Sequence, residues 1–315
     1  TNPGLVGART PQAFSTGLLT TETQQAQAAL LKNLLNSENT PQEFSKKSGT
    51  ALNRPLRWAI AAVLLIAIGL VAAFGSRIFP SPVLPAETSP VGLFISTVKA
   101  LPDSAPVLVV MDYQPGFAGE LESAAGPVME QLMCKKARLA FVSTSPLGGL
   151  LADRLLQKYA NAYPYQAGVE YVNLGYLPGG AGGIRAFAEQ PRSTLGRDTL
   201  SGNLWDTPAL DGVTANSETR LSNFSAVIVA TDNADTARLW IEQAQPALKQ
   251  KPMLMVISAQ AEPMVRPYLL SKQLNGLVAG LEGGMLYETA LEKPGQARTN
   301  WDAFGVGVLV SVALI

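Results

Sequence analysis

Residues 107–144 read VLVVMDYQPGFAGELESAAGPVMEQLMCKKARLAFVST, and three periodicities in a row decide the fold class. Val107 to Met111 is a short apolar run rich in β-branched residues, the pattern of a strand buried on both faces. Leu121, Ala125, Val128, Met129 and Leu132 then recur at spacings of three and four, which predicts a helix over Gly119 to Lys135 with one apolar stripe. A second apolar run, Leu139 to Ser143, closes the stretch. Strand, helix and strand over fewer than forty residues form a βαβ unit, whose two strands are parallel and whose helix covers one face.

The same alternation continues outward. Further strands are expected at Val169 to Leu174, Ala226 to Ala230, Leu254 to Ser258 and Gly276 to Ala279, with helices at Gly148 to Ala162, Gly182 to Glu189, Ala234 to Leu248 and Met264 to Lys272. Leu150, Leu151, Leu155 and Tyr159 give the first of these helices its own stripe. Five or six parallel strands joined by right-handed crossovers predict an α/β fold with a doubly wound, mostly parallel, Rossmann- or flavodoxin-like sheet over residues 105–292. Residues 190–222 break the rhythm with polar, Gly- and Pro-containing sequence. That insertion exceeds a normal connection and is expected to be a mobile loop, a lid or a partner surface.

Upstream lies a different kind of segment. Trp58 to Phe74, WAIAAVLLIAIGLVAAF, carries no charge, and extension to Phe79 past a snorkelling Arg77 reaches the roughly 20 residues that a bilayer core demands. A transmembrane helix over residues 57–79 is therefore expected. More than fifty residues precede it and no small-residue cleavage site follows, which argues against a signal peptide. Lys46, Lys47, Arg54 and Arg57 precede the run while only Arg77 closely follows, so the positive-inside rule puts the N-terminus in the cytoplasm and the α/β domain outside the cell membrane. Residues 1–56 are expected to be a polar cytoplasmic arm, with one helical stripe from Glu22 to Leu35 (Ala26, Leu30, Leu31, Leu34 and Leu35), and residues 80–104 a Pro-rich linker. The apolar tail after Ala303, with Trp301 at its margin, reads as the start of a second span within residues 293–315, and the chain as a piece of a longer one.

Composition narrows the chemistry. Lys plus Arg and Asp plus Glu number 24 each and no basic stripe stands out, which argues against nucleic acid as a partner. Histidine is absent, so Ser-His-Asp and Cys-His catalysis are excluded within the chain, and so is the commonest ligand of zinc and copper. Cys134 stands alone, which forbids an intrachain disulfide, and reads as a small apolar residue of a helix.

Residues just past the strands are the ones to weigh, because open parallel sheets bind ligands there. They are Asp112 with Tyr113, Ser143 to Ser145, Gly175 to Gly183, Thr231 with Asp232, and Ser258 to Gln260. In LGYLPGGAGGIRAF, residues 174–187, the glycines Gly179, Gly180, Gly182 and Gly183 stand between a strand and a helix. Their amides could cradle a phosphate or carboxylate, with Arg185 as a second contact. Neither a G-x-G-x-x-G fingerprint nor a Walker A lysine is present, so a tight structural turn is the preferred reading. Asp112 and Asp232 could share a hard cation or act as an acid/base pair; the simpler alternative is that they cap helices. No catalytic residue, metal site or cofactor is expected.

Four segments in order, VLVVMDYQPGFAGEL, VNLGYLPGGAGGIRAF, MLMVISAQAEPMVRPYL and GLVAGLEGGMLYE, resemble a group of uncharacterised bacterial membrane-anchored proteins with an extracytoplasmic Rossmann-like α/β domain. The resemblance spans about Val107 to Glu288. It implies the same anchored layout, and no activity or functional residue comes with it. The expected function is thus a non-catalytic accessory or scaffold subunit of a membrane assembly, with other membrane proteins, a second copy and the lipid bilayer as partners. A ligand-binding or enzymatic domain using the Gly-rich loop and the strand-end aspartates is the alternative.

Overall fold

The computed structural model describes residues 21–39, 53–79, 82–159, 161–195, 204–214, 219–293 and 295–313, with side chains omitted at 37–39, 53–54, 72 and 75–78. Lys46, Lys47 and most of the polar arm lie outside the described residues. Two compact units divide the chain, Thr1–Arg57 and Trp58–Ile315. In the first, α1 spans Glu22–Asn39, four residues longer than its apolar stripe, and Leu30, Leu31, Leu34 and Leu35 are all exposed.

Helix α2 spans Asn53–Ile78 and α3 Pro90–Ala100. Then follow β1 (Pro106–Asp112), α4 (Ala118–Cys134), β2 (Arg138–Ser143), α5 (Gly148–Tyr159), β3 (Tyr171–Tyr176), α6 (Gly180–Glu189) and the short α7 (Pro191–Thr194) and α8 (Asp211–Thr214). The remainder is β4 (Ala226–Thr231), α9 (Ala234–Ala244), β5 (Met253–Ile257), α10 (Glu262–Leu270), β6 (Gly276–Ala279), α11 (Gly280–Ala290) and α12 (Gln296–Ala313). The six strands form one parallel sheet in the order 3-2-1-4-5-6, the doubly wound arrangement, whose direction of winding reverses between β1 and β4.

Alternation along the strands builds two cores. Val107, Val109 and Met111 of β1 join Phe141, Ile228 and Val256 under α3, α4, α5 and α11. Leu108 and Val110 join Val142, Val229 and Met255 under α6, α9 and α10. Both faces are therefore dry, which explains why the strands read as unbroken apolar runs.

Several boundaries move. β3 starts two residues later than expected, because Gly168 and its neighbours turn at the Gln166 carbonyl, and a bulge skips Leu174 in the pairing with β2. α9 stops at Ala244 and gives way to a 3₁₀ turn at Gln245–Leu248, since Pro246 has no N–H to continue the ladder. The expected linker over residues 80–104 contains α3: Ser89 Oγ accepts the Gly92 amide, Pro90 opens the helix, and Phe94 and Val98 are fully buried. α3 lies on the edge strand β6, where any side chain at Gly276 would collide with the Phe94 backbone.

The insertion at 190–222 is anchored where it is described, not free as a lid would be. Trp205 is fully buried and its Nε1 donates to the Leu195 carbonyl at 2.8 Å. Ala209, Leu210, Val213 and Leu221 are buried with it against the α6 and α9 face of the sheet.

Among the described residues no helix is long and apolar enough to cross a membrane. The second expected span begins earlier than Ala303 and has a packed base. α12 opens at Gln296, Ala297 is fully buried, and the helix folds back on α11 as an antiparallel hairpin.

Candidate functional site at the carboxyl edge of the sheet

Asp112 ends β1 at the point where the winding reverses, the place at which doubly wound sheets receive ligands. Its carboxylate is 6% exposed and is already surrounded by donors. The Ser143 hydroxyl (2.6 Å) and the Thr144 amide (2.6 Å) meet Oδ1, while the Thr144 hydroxyl (2.7 Å) and Trp240 Nε1 (2.7 Å) meet Oδ2. Four donors saturate the lone pairs of a carboxylate. The residue straps the end of β1 to the end of β2 and to α9, and it neither caps a helix nor faces an open site.

Asp232 follows β4, the strand next to β1. Its Oδ1 accepts the Gln114 amide at 3.3 Å, which draws the β1–α4 loop across the reversal point. The cap of α9 is its neighbour Asn233, whose side chain accepts the Asp235 and Thr236 amides. A third acid does similar work one strand further on: Glu120, in the first turn of α4, accepts the Ala259 amide at 2.7 Å in the loop after β5. The amides of Thr144, Gln114 and Ala259, three donors that a bound anion would use, are thus held by the chain's own carboxylates. Reading the sequence singled out Asp112 and Asp232 but missed Glu120 and Trp240; the acid in the first turn of α4 was the available signal.

Tyr113 turns inward. It is 1% exposed, its hydroxyl has no hydrogen-bond partner, and burial first, then the nearby Glu122 charge, push its phenol far above the ordinary range. Glu122 is itself buried between α4 and α5, with Arg154 Nη2 at 2.8 Å from Oε1 and the Lys158 ammonium on Oε2. This group braces two helices, with Glu122 buried and its two cations reaching it from the surface.

The Gly-rich loop sits at the far edge of the sheet. β3 lies two strands from β1 and three from β4, or about 10 and 14 Å at ordinary strand spacing. The loop and the two aspartates therefore do not converge. Gly179 and Gly180 adopt φ of +95° and +52°, and a Cβ at Gly183 would stand 1.9 Å from the Pro178 carbonyl oxygen. These glycines make a tight turn into α6 possible. Gly182 has open space around it. Arg185 points along α6 to Glu189 at 3.2 Å, away from the loop.

The described residues hold no cluster of three or more Asp, Glu or Cys side chains placed to bind a metal. A cleft of about 900 Å³ lies at the opposite end of the domain, between the ends of α6 and α9, and includes Arg185, Arg192, Arg220 and Lys249. Two of these arginines are paired, Arg185 with Glu189 and Arg192 with Asp206.

No protein-family model, curated protein or solved structure matches the chain.

Proposed function

We propose that the chain is a non-catalytic accessory or scaffold subunit of a membrane assembly, anchored through α2 and α12, with its α/β domain outside the cell membrane and its N-terminus in the cytoplasm. The observation that carries the non-catalytic part is the carboxyl edge itself: carboxylates of Asp112, Asp232 and Glu120 take the loop amides that a ligand would need. The strand-end aspartates and the Gly-rich loop, the basis of the ligand-binding alternative, stand too far apart to act together.

The anchoring part is supported by apolar surface. As a backbone helix α2 has 26 residues, about 39 Å at 1.5 Å each, and Trp58, Leu65, Ile66, Leu70 and Phe74 are all at least 47% exposed. On α12, Phe304, Leu309 and Val312 are at least 60% exposed. The two helices meet where Gly307 faces Ile68, and Arg298 of α12 donates to the carbonyl of Phe79, just past the end of α2, at 3.1 Å. Large apolar side chains this exposed on two neighbouring helices are suited to lipid or to other membrane helices.

Isolation of the full-length protein from native membranes in mild detergent tests the reading. A stoichiometric protein partner retained through size-exclusion chromatography is the expected result. A monodisperse, partnerless protein that instead turns over or tightly binds a small metabolite would overturn it.

A further inference from the structure

We propose that the carboxyl edge of the sheet faces the membrane and seats Leu147, Leu150, Tyr176 and Met264 in the lipid headgroup layer; the inference rests on the membrane reading above. Direction follows from contacts. α11 starts at the carboxyl end of β6 and runs back down the sheet, and α12 returns antiparallel to it, with Ala297 against Gly284 and its amide on Glu288. Asn300 bonds Ser123, in the second turn of α4, at 2.7 Å. The helix is therefore level with the carboxyl edge within about one further turn, and its remaining turns project past that edge. α2 arrives by the same route, Phe79 beside Arg298 and Ile68 beside Gly307. The helix pair thus leaves the domain at the end where ligands of doubly wound folds normally bind.

The two ends of the domain differ in the way this orientation requires. Between residues 90 and 292, seven large apolar side chains are exposed among the described residues. Four of them sit at the carboxyl edge: Leu150 and Met264 in the first turns of α5 and α10, Leu147 just before α5, and Tyr176 at the end of β3. Leu93, Val169 and Leu270 lie elsewhere. The opposite edge carries the exposed lysines Lys99, Lys136, Lys249, Lys251 and Lys272. Cations there complement the helix C-termini, but no dipole argument accounts for bare leucines at helix N-termini, where acids and polar caps are favoured. An interfacial lipid layer does account for them, because it receives isolated leucines and a tyrosine with its hydroxyl in the headgroups. Charge on this edge comes in pairs, Asp235 with Arg238 at 3.7 Å on α9 and Glu262 with Arg266 at 2.8 Å on α10, together with Glu120 and Glu282 in the first turns of α4 and α11.

The test uses the full chain with Cys134→Ser, single cysteines carrying a fluorophore, and phosphatidylcholine/phosphatidylglycerol vesicles containing lipid-borne nitroxide quenchers. Labels at Leu147→Cys and Met264→Cys should lose fluorescence to a headgroup-level nitroxide, labels at Lys99→Cys and Lys251→Cys should not, and a label at Leu65→Cys should respond to a deep nitroxide. If Leu65→Cys is quenched but the Leu147 and Met264 sites behave like Lys99 and Lys251, the orientation is wrong and the anchor stands. Shielding of the edge from aqueous quencher without quenching by lipid would mean that a protein covers it, and also overturns the proposal. No quenching at Leu65→Cys removes the anchor and the inference together.

Discussion

Asp112 has four donors inside the protein, so its removal should be expensive wherever function lies. Asp112→Ala leaves the Trp240 Nε1–H and the Thr144 amide without acceptors in a dry site, and a loss of about 3 kcal/mol or more is expected from urea unfolding midpoints. Asp232→Asn removes much less, since Oδ1 accepts a single 3.3 Å bond, and should cost under about 1 kcal/mol. Equal effects from the two would show that the strap is not what stabilises the edge. The glycines of the α6 turn separate in the same way. Gly183→Ala drives a Cβ into the Pro178 carbonyl and should destabilise by about 2 kcal/mol or more. Gly182→Ala, helical and unobstructed, should be neutral or stabilising by up to about 1 kcal/mol. Thermal melts of both variants check this. At this scale the sequence was half legible: an Asp after a strand marks the reversal point, but which donors surround it depends on Trp240, 128 residues away, and no spacing rule carries that distance.

Among the elements, α12 is the informative one, because its first turn is held by a single buried side chain. Glu288 Oε1 accepts the Ala297 amide at 2.8 Å, and Oε2 accepts the Gly295 and Arg298 amides at 3.1 and 2.9 Å, which satisfies donors that a helix start leaves open. Glu288→Ala should release α12 from α11 while the sheet stays intact. Amide exchange read by mass spectrometry should speed up over Ala297–Asp302 and remain slow in β1 and β4; uniform acceleration everywhere would contradict the clamp. The six strands were legible because burial on both faces leaves unmixed apolar runs, whereas α3 was passed over within a Pro-rich stretch. Val91, Phe94, Ile95 and Val98 stand at helical spacing after Ser89 and Pro90, so the signal was present and was masked by the prolines around it. The reach of α12 below Ala303 was hidden for another reason: QARTNWD is polar, and only the hairpin with α11 makes it helical.

For the whole molecule, the tyrosines report the integrity of the core. Burial pushes Tyr159 up to about 12 and Tyr113, Tyr165 and Tyr287 further still, while unfolded phenols titrate near 10. The native state therefore holds more protons than the unfolded chain above pH about 10; this stabilisation is complete below that pH and is lost as pH rises through the native values. The share of phenolate absorbance that belongs to these four tyrosines should be missing through the ordinary range and then appear together with loss of helical circular dichroism. A full rise centred near pH 10 with the fold intact would contradict the buried placement. The parallel α/β class followed from the alternation of residue types, but the strand order and the direction in which the helix pair leaves the domain did not, since both are set by contacts such as Asn300 with Ser123 that join distant segments. The central claim is that α2 and α12 carry the domain in lipid, and flotation of the full-length protein with lipid vesicles in alkaline carbonate tests it most directly. The account predicts that the protein rises with the vesicles and that Leu65→Arg combined with Ile66→Asp keeps it in the dense fraction. A wild-type chain that stays in the lipid-free fraction, folded and monodisperse, would contradict it.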